Sequence, residues 1–303
     1  MKILILGAGG IGGYFGARLM QSGCDVTFLV REARQALIAE QGLRIETPHG
    51  AFTVQPRTVT TSTLSAGYDL VILATKAYDL EEGLAGVEKG TPGAFILPFL
   101  NGIDHLDLLD QHFGRARVIG GVAHIAATVA KSGAVQQLSD LHRLTIGARD
   151  AAQEGVVQEF IGLCRKSAFD SVLSADIEQV LWDKWVFLAT LAGMTTLCRG
   201  SVGDIVATPH GESQVRRMYE ECQAVAAASG HAVSSEARDR DLALLTAKGS
   251  AFTASMLRDL IAGQRTEHED IIGAMGRRGQ AHGLSMDLLL MAYTHLLVET
   301  QVR

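Results

Sequence analysis

Five residues near the N-terminus have the types and spacing that bind a dinucleotide phosphate. Gly7, Gly9 and Gly12 form a G-x-G-x-x-G pattern directly after an apolar run. Gly7 permits a tight turn, Gly9 lets a pyrophosphate approach the backbone, and Gly12 lets a helix pack on the preceding strand. Gly10 and Ile11 then open a helix whose first amides offer hydrogen bonds to the phosphates. A plain strand-to-helix turn is the alternative, but the βαβ spacing favours a dinucleotide site.

The residue after the second predicted strand indicates which nicotinamide cofactor binds. NAD sites usually present a carboxylate to the ribose hydroxyls there, whereas an arginine accommodates the 2′-phosphate of NADP. This chain has Arg31 at that point, with Glu32 next and Arg34 one turn later. Both arginines are also compatible with solvated charges at a helix start. The pattern favours NADPH.

Lys76 and Asn101 each follow an apolar segment, residues 69–75 and 94–98 respectively. If both segments are parallel strands, the two residues lie at carboxyl ends, where open α/β sheets bind ligands. Taken singly, the lysine also fits a surface charge and the Asn101-Gly102 pair a turn. Their shared placement after a glycine motif favours a ligand site.

Lys184 lies in a segment of helical period, residues 178–197, that carries no charge from residue 185 onward. If its ammonium group faces a cleft, desolvation lowers its pKa toward the range in which it donates a proton. A solvated helical lysine is the alternative.

No metal site is predicted. Residues 266–270 (TEHED) concentrate three carboxylates and a histidine without a recognised ligand spacing, which favours an exposed helical charge run. The four cysteines are far apart and contain no CxxC pair, which indicates a reducing compartment, the cytoplasm. The net charge of −6 and the lack of an apolar run of about 20 residues argue against nucleic-acid or membrane partners.

Two kinds of region position these residues. The first alternates strand and helix, as in an α/β fold with a Rossmann-type parallel sheet, and adds antiparallel strands at 43–54 and 118–146. From about residue 154 helical period dominates, with long segments at 178–197, 212–229 and 250–281. Turn formers at 171–176 place a boundary near Ser174, which predicts an NADP-binding domain (1–174) and a helical substrate domain (175–303).

Together these residues resemble the ketopantoate reductase (2-dehydropantoate 2-reductase) family over nearly the whole chain. The matching segments, in order, are the glycine turn, Arg31, LATKAYD around Lys76, Asn101-Gly102, GVAHIAAT at 121–128, LWDKW around Lys184, SMLRDL from Ser255, and RTE ending at Glu267. The resemblance implies a Rossmann domain, then a helical domain similar to that of 6-phosphogluconate dehydrogenase, with the site in the cleft between them.

The resemblance also implies roles for five side chains. Lys184 corresponds to the general acid, and Glu267 to the acid that helps to hold the substrate hydroxyl and the lysine. Asn101 and Lys76 correspond to residues near the nicotinamide and the substrate, and Ser255 to a contact of the substrate carboxylate.

Four positions depart from the family pattern, which commonly has asparagine at each. They are Leu188, Ala192, Phe252 and Ile272. An apolar wall does not satisfy a substrate hydroxyl, so a less polar 2-oxo acid competes with ketopantoate as the substrate.

We therefore expect NADPH-dependent reduction of a small 2-oxo acid, with 2-dehydropantoate as the leading substrate and pantoate, a precursor of pantothenate, as its product. A monomer or homodimer is expected. One alternative is a paralogous reductase or dehydrogenase for a less polar keto or hydroxy acid. Another is a non-catalytic NADP(H)-binding regulator. The presence of both Lys184 and Glu267 argues against a regulator, because cofactor binding alone requires neither.

Overall fold

A computed structural model describes residues 1–88 and 92–301. The chain divides into two compact units, one of Met1–Leu100 with His105–Ile177, the other of Asn101–Asp104 with the residues from Glu178 onward. The change from one unit to the other thus falls between Ile177 and Glu178, close to the turn formers at 171–176. The short segment Asn101–Asp104 belongs to the second unit although its flanking residues belong to the first.

The first unit alternates strands and helices. Its described elements, in chain order, are β1 (Lys2–Leu6), α1 (Gly10–Gln21), β2 (Asp25–Leu29), α2 (Glu32–Gln41), β3 (Leu43–Thr47), β4 (Gly50–Val54), β5 (Arg57–Val59), β6 (Leu70–Leu73), α3 (Leu80–Val87), β7 (Phe95–Pro98), α4 (Asp104–Phe113), β8 (Gly120–Val129), β9 (Val135–Gly147), α5 (Glu154–Cys164) and β10 (Asp170–Leu173).

A five-stranded parallel sheet, in the order β5-β2-β1-β6-β7, forms the centre of this unit. The apolar strands β1 and β6 pair in parallel from Ile3 opposite Leu70 to Leu6 opposite Leu73. Ile3, Ile5 and Phe28 are fully buried, as continuous aliphatic strands require when both faces of a sheet are covered. The predicted α/β fold with a Rossmann-type parallel sheet is confirmed.

The added strands form a second sheet, in the order β10-β9-β3-β4, with β8 paired antiparallel to β9. The predicted hairpins β3–β4 and β8–β9 are both present. The interpretation of residues 171–176 as a turn is wrong in its first half. There β10 pairs in parallel with β9, with Ser171 opposite Leu144, because hydrogen bonds to a sheet edge outweigh the local turn preference of Ser171.

The second unit is helical, as predicted. Its described elements are α6 (Ile177–Cys198), α7 (Val202–Val206), α8 (Gly211–Ala228), α9 (Ser235–Leu245), α10 (Ser255–Ile261), a π-helical segment (Glu269–Gly273), α11 (Ala274–Ala281) and α12 (Asp287–Gln301). None of the helices in the described residues combines the length and apolarity needed to cross a bilayer.

The long helical segment predicted at 250–281 is interrupted in the structure. The chain leaves α10 through Gly263, whose φ of +68° lies in the left-handed region that ends helices. It becomes helical again close to Glu267 and passes through the π-helical segment into α11. Helical periodicity persists across this break because residues on both sides bury apolar side chains, such as Leu260 and Ile271.

Candidate active-site residues

The glycine segment joins β1 to α1, and the surroundings of its glycines differ. Gly7 has φ +98°, which requires glycine for its backbone conformation, and a Cβ on Gly12 would lie 2.2 Å from the Gly7 carbonyl oxygen, which requires glycine for close packing. A Cβ on Gly9 would meet no heavy atom within 4 Å. Gly9 caps α1 without a side-chain bond, which leaves the helix amides for an anion. The open space beside Gly9 fits the approach of a dinucleotide phosphate.

The two arginines after β2 lie in different environments. Arg34 is half-buried and donates to the carbonyl oxygens of Gly133 (2.7 Å) and Ala8 (3.0 Å), and burial lowers its pKa. It therefore braces the glycine segment. Arg31 is 71% exposed and faces carboxylate oxygens of Glu82 at 3.2 Å and Asp79 at 3.6 Å. Arg31 is the better candidate for the 2′-phosphate, and these two carboxylates would compete for it.

Lys76 belongs to the first unit. It follows β6 and caps the 3₁₀ turn Ala77–Asp79, with its side chain partly exposed. Asn101 follows the neighbouring strand β7 at the same spacing, but its segment belongs to the second unit. Both residues therefore follow the carboxyl ends of adjacent parallel strands, as predicted from the apolar segments before them.

Lys184, Glu267 and Asn101 come together in the second unit. The Asn101 amide donates from Nδ2 to the Glu267 carboxylate oxygen Oε2 at 3.2 Å. Glu267 is 5% exposed, so the interpretation of residues 266–270 as an exposed charge run is wrong for this residue. Burial lowers the pKa of Lys184 to about 8, and the negative charge of Glu267 opposes that shift. A lysine of this pKa can exchange a proton near neutral pH.

Two further residue pairs in the second unit are joined by hydrogen bonds. The indole of Trp185, the residue after Lys184, donates to the Ile271 carbonyl oxygen at 2.9 Å. Arg278 donates through Nε and Nη2 to Oδ1 of Asp104, at 2.9 and 2.7 Å. Sequence reasoning missed these residues because they pair across 86 and 174 positions and carry no local pattern.

The four apolar substitutions are not equivalent. Ala192 and Ile272 have no exposed surface, which excludes them from a solvent-facing wall in this structure. Leu188 is partly exposed and Phe252 is 43% exposed. Phe252 stacks on Phe187, with ring centroids 6.2 Å apart, and Phe187 lies one helical turn after Lys184.

Ser255, the predicted contact of the substrate carboxylate, is the first residue of α10 and is partly exposed. It follows Phe252 by three residues. Both residues lie in the second unit with Lys184.

Comparison with known families assigns the chain. The profile described as "Ketopantoate reductase PanE/ApbA" matches residues 3–151, and "Ketopantoate reductase PanE/ApbA C terminal" matches residues 176–298. The chain belongs to the ketopantoate reductase family. It is an oxidoreductase of the 2-dehydropantoate 2-reductase type, and the family relationship implies a nicotinamide cofactor.

Similar proteins cover the chain almost completely. The "Uncharacterized oxidoreductase YkpB" of Bacillus subtilis is 30% identical over 98% of both chains. The crystal structure of a 2-dehydropantoate 2-reductase from Geobacter metallireducens GS-15 is 28% identical, covers 100% of each chain and superposes with a TM-score of 0.88. The ternary structure of a D-mandelate dehydrogenase with NADH and anilino(oxo)acetate is 23% identical, covers 100% and 99% of the two chains, and shares the fold with a TM-score of 0.89.

Proposed function

We propose that this chain uses NADPH to reduce the ketone of a small 2-oxo acid, and that Lys184 donates the proton. The observation that carries this proposal is the group formed by Lys184, buried Glu267 and Asn101. Bound NADPH supplies the hydride, which adds to the carbonyl carbon. The oxygen takes the π electron pair and then a proton from the Lys184 ammonium group, which solvent must later restore.

The neighbouring side chains have positioning and binding roles in this proposal. The Glu267 carboxylate attracts the Lys184 ammonium group, and the Asn101 amide holds one oxygen of that carboxylate. Ser255 binds the substrate carboxylate, and Lys76 contacts cofactor and substrate. The glycine segment binds the pyrophosphate, and Arg31 binds the 2′-phosphate.

2-Dehydropantoate is the leading substrate because the family relationship favours it. The exposed apolar surface of Phe252 and Leu188 supports a second candidate, a less polar 2-oxo acid. A substrate hydroxyl left without a partner costs about 1–3 kcal/mol, or roughly 5-fold to 150-fold in efficiency.

Initial rates of NADPH oxidation test both candidates. The informative pair is 2-dehydropantoate and 2-oxo-3,3-dimethylbutanoate, which differ by one hydroxyl, each measured at saturating NADPH. A ratio of kcat/KM well above 10 in favour of 2-dehydropantoate supports the leading substrate, and a ratio near or below 1 supports the apolar candidate. Tight NADPH binding without oxidation by any 2-oxo acid would instead support a regulator.

We also propose a cytoplasmic location and a monomer or homodimer. The four cysteines are unpaired in the structure, and unpaired cysteines are usual in a reducing compartment. Light scattering on the purified chain tests the oligomeric state.

A further inference from the structure

Trp185 connects the helix of Lys184 to the segment of Glu267. Its side chain is 1% exposed, and its indole N–H donates to the Ile271 carbonyl oxygen at 2.9 Å. The Ile271 amide in turn donates to the Glu267 carbonyl oxygen at 3.1 Å. One buried hydrogen bond therefore ties the residue next to Lys184 to the helical turn that starts at Glu267.

The acceptor of this hydrogen bond lies in the π-helical segment Glu269–Gly273. The π-helix is a rare conformation in proteins, and where it occurs it is often at a functional site. The loop of Asn101 rests on the same segment. Gly102 has φ +75°, and a Cβ there would lie 2.5 Å from the Asp270 carbonyl oxygen. Thus α6 and the Asn101 loop both contact the π-helical segment that follows Glu267.

The Arg278–Asp104 ion pair lies near the rings of Trp182 and Trp185. The guanidinium of Arg278 lies 5.9 Å from the ring centroids of both Trp182 and Trp185, and it donates two hydrogen bonds to Asp104. Trp185 therefore has a cation–π contact at its ring in addition to the hydrogen bond of its indole N–H.

We propose that Trp185 is a positioning residue, whose indole N–H sets the separation between the Lys184 ammonium group and the Glu267 carboxylate. This inference rests on the proposed function. A phenylalanine at this position keeps an aromatic ring and removes the N–H, so the hydrogen bond from α6 to the Ile271 carbonyl oxygen is lost. The Lys184 ammonium group and the Glu267 carboxylate then move apart. Because the carboxylate raises the pKa of Lys184, a weaker attraction lets desolvation lower that pKa further.

The surrounding charges constrain this interpretation. Glu267 raises the pKa of Lys184. Beyond it, Glu269 pairs with Arg277 and Tyr293, and Asp104 pairs with Arg278. Burial and then the charges of Glu267 and Glu269 raise the pKa of Asp270. The Glu269 and Asp104 ion pairs do not involve the indole N–H and should persist in Trp185→Phe. A change in the pKa of Lys184 in this variant therefore reports a change in the Lys184–Glu267 separation.

The test compares Trp185→Phe with Trp182→Phe in the full chain. Trp182 lies on the same helix but stacks on His231, at 5.4 Å between ring centroids. We expect Trp185→Phe to lower kcat about tenfold, because small misplacements at a reacting group cost one to two orders of magnitude. The alkaline limb of kcat/KM should also move to lower pH by half a unit or more, whereas Trp182→Phe should leave that limb in place.

Unchanged turnover and pH limb in Trp185→Phe would overturn the inference, and so would equal shifts in both variants. If Trp185→Phe does not fold, 3-benzothienylalanine placed at position 185 alone, which has the shape of tryptophan without the N–H, should shift the limb in the same direction, and a null result there would overturn the inference. Wild-type turnover in Lys184→Ala would overturn the proposed function and this inference together, whereas an inactive Lys184→Ala beside an unaffected Trp185→Phe would overturn the positioning role alone.

Discussion

The two groups of candidate site residues are built in opposite ways. The glycine segment contains its determinants within residues 7–12, and its proposed phosphate binding depends on backbone geometry: the open side of Gly9 and the first amides of α1. The group around Lys184 takes three side chains from positions 101, 184 and 267 and depends on the burial of opposite charges. A local steric change should therefore impair the glycine segment, and loss of one charged side chain should impair the group around Lys184.

The largest expected effect is on the charged group. Lys184→Ala should lower kcat about 100-fold or more, because a positioned general acid supplies about 10²–10⁴ in rate. NADPH affinity should change little, since the glycine segment, Arg31 and Lys76, which are proposed to bind it, lie in the other unit. Stopped-flow turnover and fluorescence titration of NADPH measure the two quantities.

The exposed Lys248 of the same unit offers a matched control for that variant. Lys248→Ala removes an equal charge and should retain wild-type turnover. Retention of turnover in Lys184→Ala as well would remove this lysine from the mechanism.

The same contrast decides what could be predicted from the sequence. The βαβ unit and the glycine pattern are local. Periodicity predicts a strand at 2–6, a helix at 11–22 and a strand at 25–30, each within one residue of the observed bounds of β1, α1 and β2. Lys184 was a candidate from its helical segment, and its role and that of Glu267 were implied by the family resemblance; the structure brings both into one unit with Asn101.

What the sequence could not predict depends on contacts between distant positions. Trp185, Asp104 and Arg278 each look like an ordinary core or surface residue until the fold pairs them. The break within residues 250–281 was missed because apolar periodicity continues across it. The apolar wall was overestimated for Ala192 and Ile272, because sequence spacing does not distinguish a lining residue from a core residue.

Two alanine substitutions should separate packing from binding in the glycine segment. Gly12→Ala places a methyl group 2.2 Å from the Gly7 carbonyl oxygen, so we expect a loss of about 1–3 kcal/mol in the free energy of unfolding. Gly9→Ala meets no atom and should unfold like wild type, yet bind NADPH more weakly because its methyl group occupies the proposed phosphate approach. Urea denaturation and NADPH titration check these outcomes. Equal stability losses in the two variants would contradict the assigned roles.

The pH dependence of the reduction should report Lys184. The ammonium form is the proton donor and is lost as the pH rises through a pKa of about 8, so kcat/KM should be constant below that value and fall about tenfold by pH 9. The reverse oxidation needs the neutral amine and should rise over the same range. We would measure kcat/KM and the NADPH dissociation constant at each pH, which separates proton donation by Lys184 from changes in cofactor binding. A limb that persists in Lys184→Ala would belong to another group.

The smallest expected effect concerns Arg31, because its guanidinium already faces Glu82 and Asp79 at an exposed position. The 2′-phosphate must displace these carboxylates, so the net gain from the new charge-assisted bonds is reduced. Arg31→Ala should weaken NADPH binding about fivefold to tenfold and leave NADH binding unchanged.

Glu82→Gln should have the opposite effect on NADPH affinity and strengthen binding, since it removes one of the carboxylates that pair with Arg31. Arg34→Met should instead weaken both cofactors, because Arg34 holds the Ala8 carbonyl in the glycine segment. Titration of all three variants with both cofactors compares these outcomes, and equal losses of NADPH and NADH in Arg31→Ala would assign the 2′-phosphate to another residue.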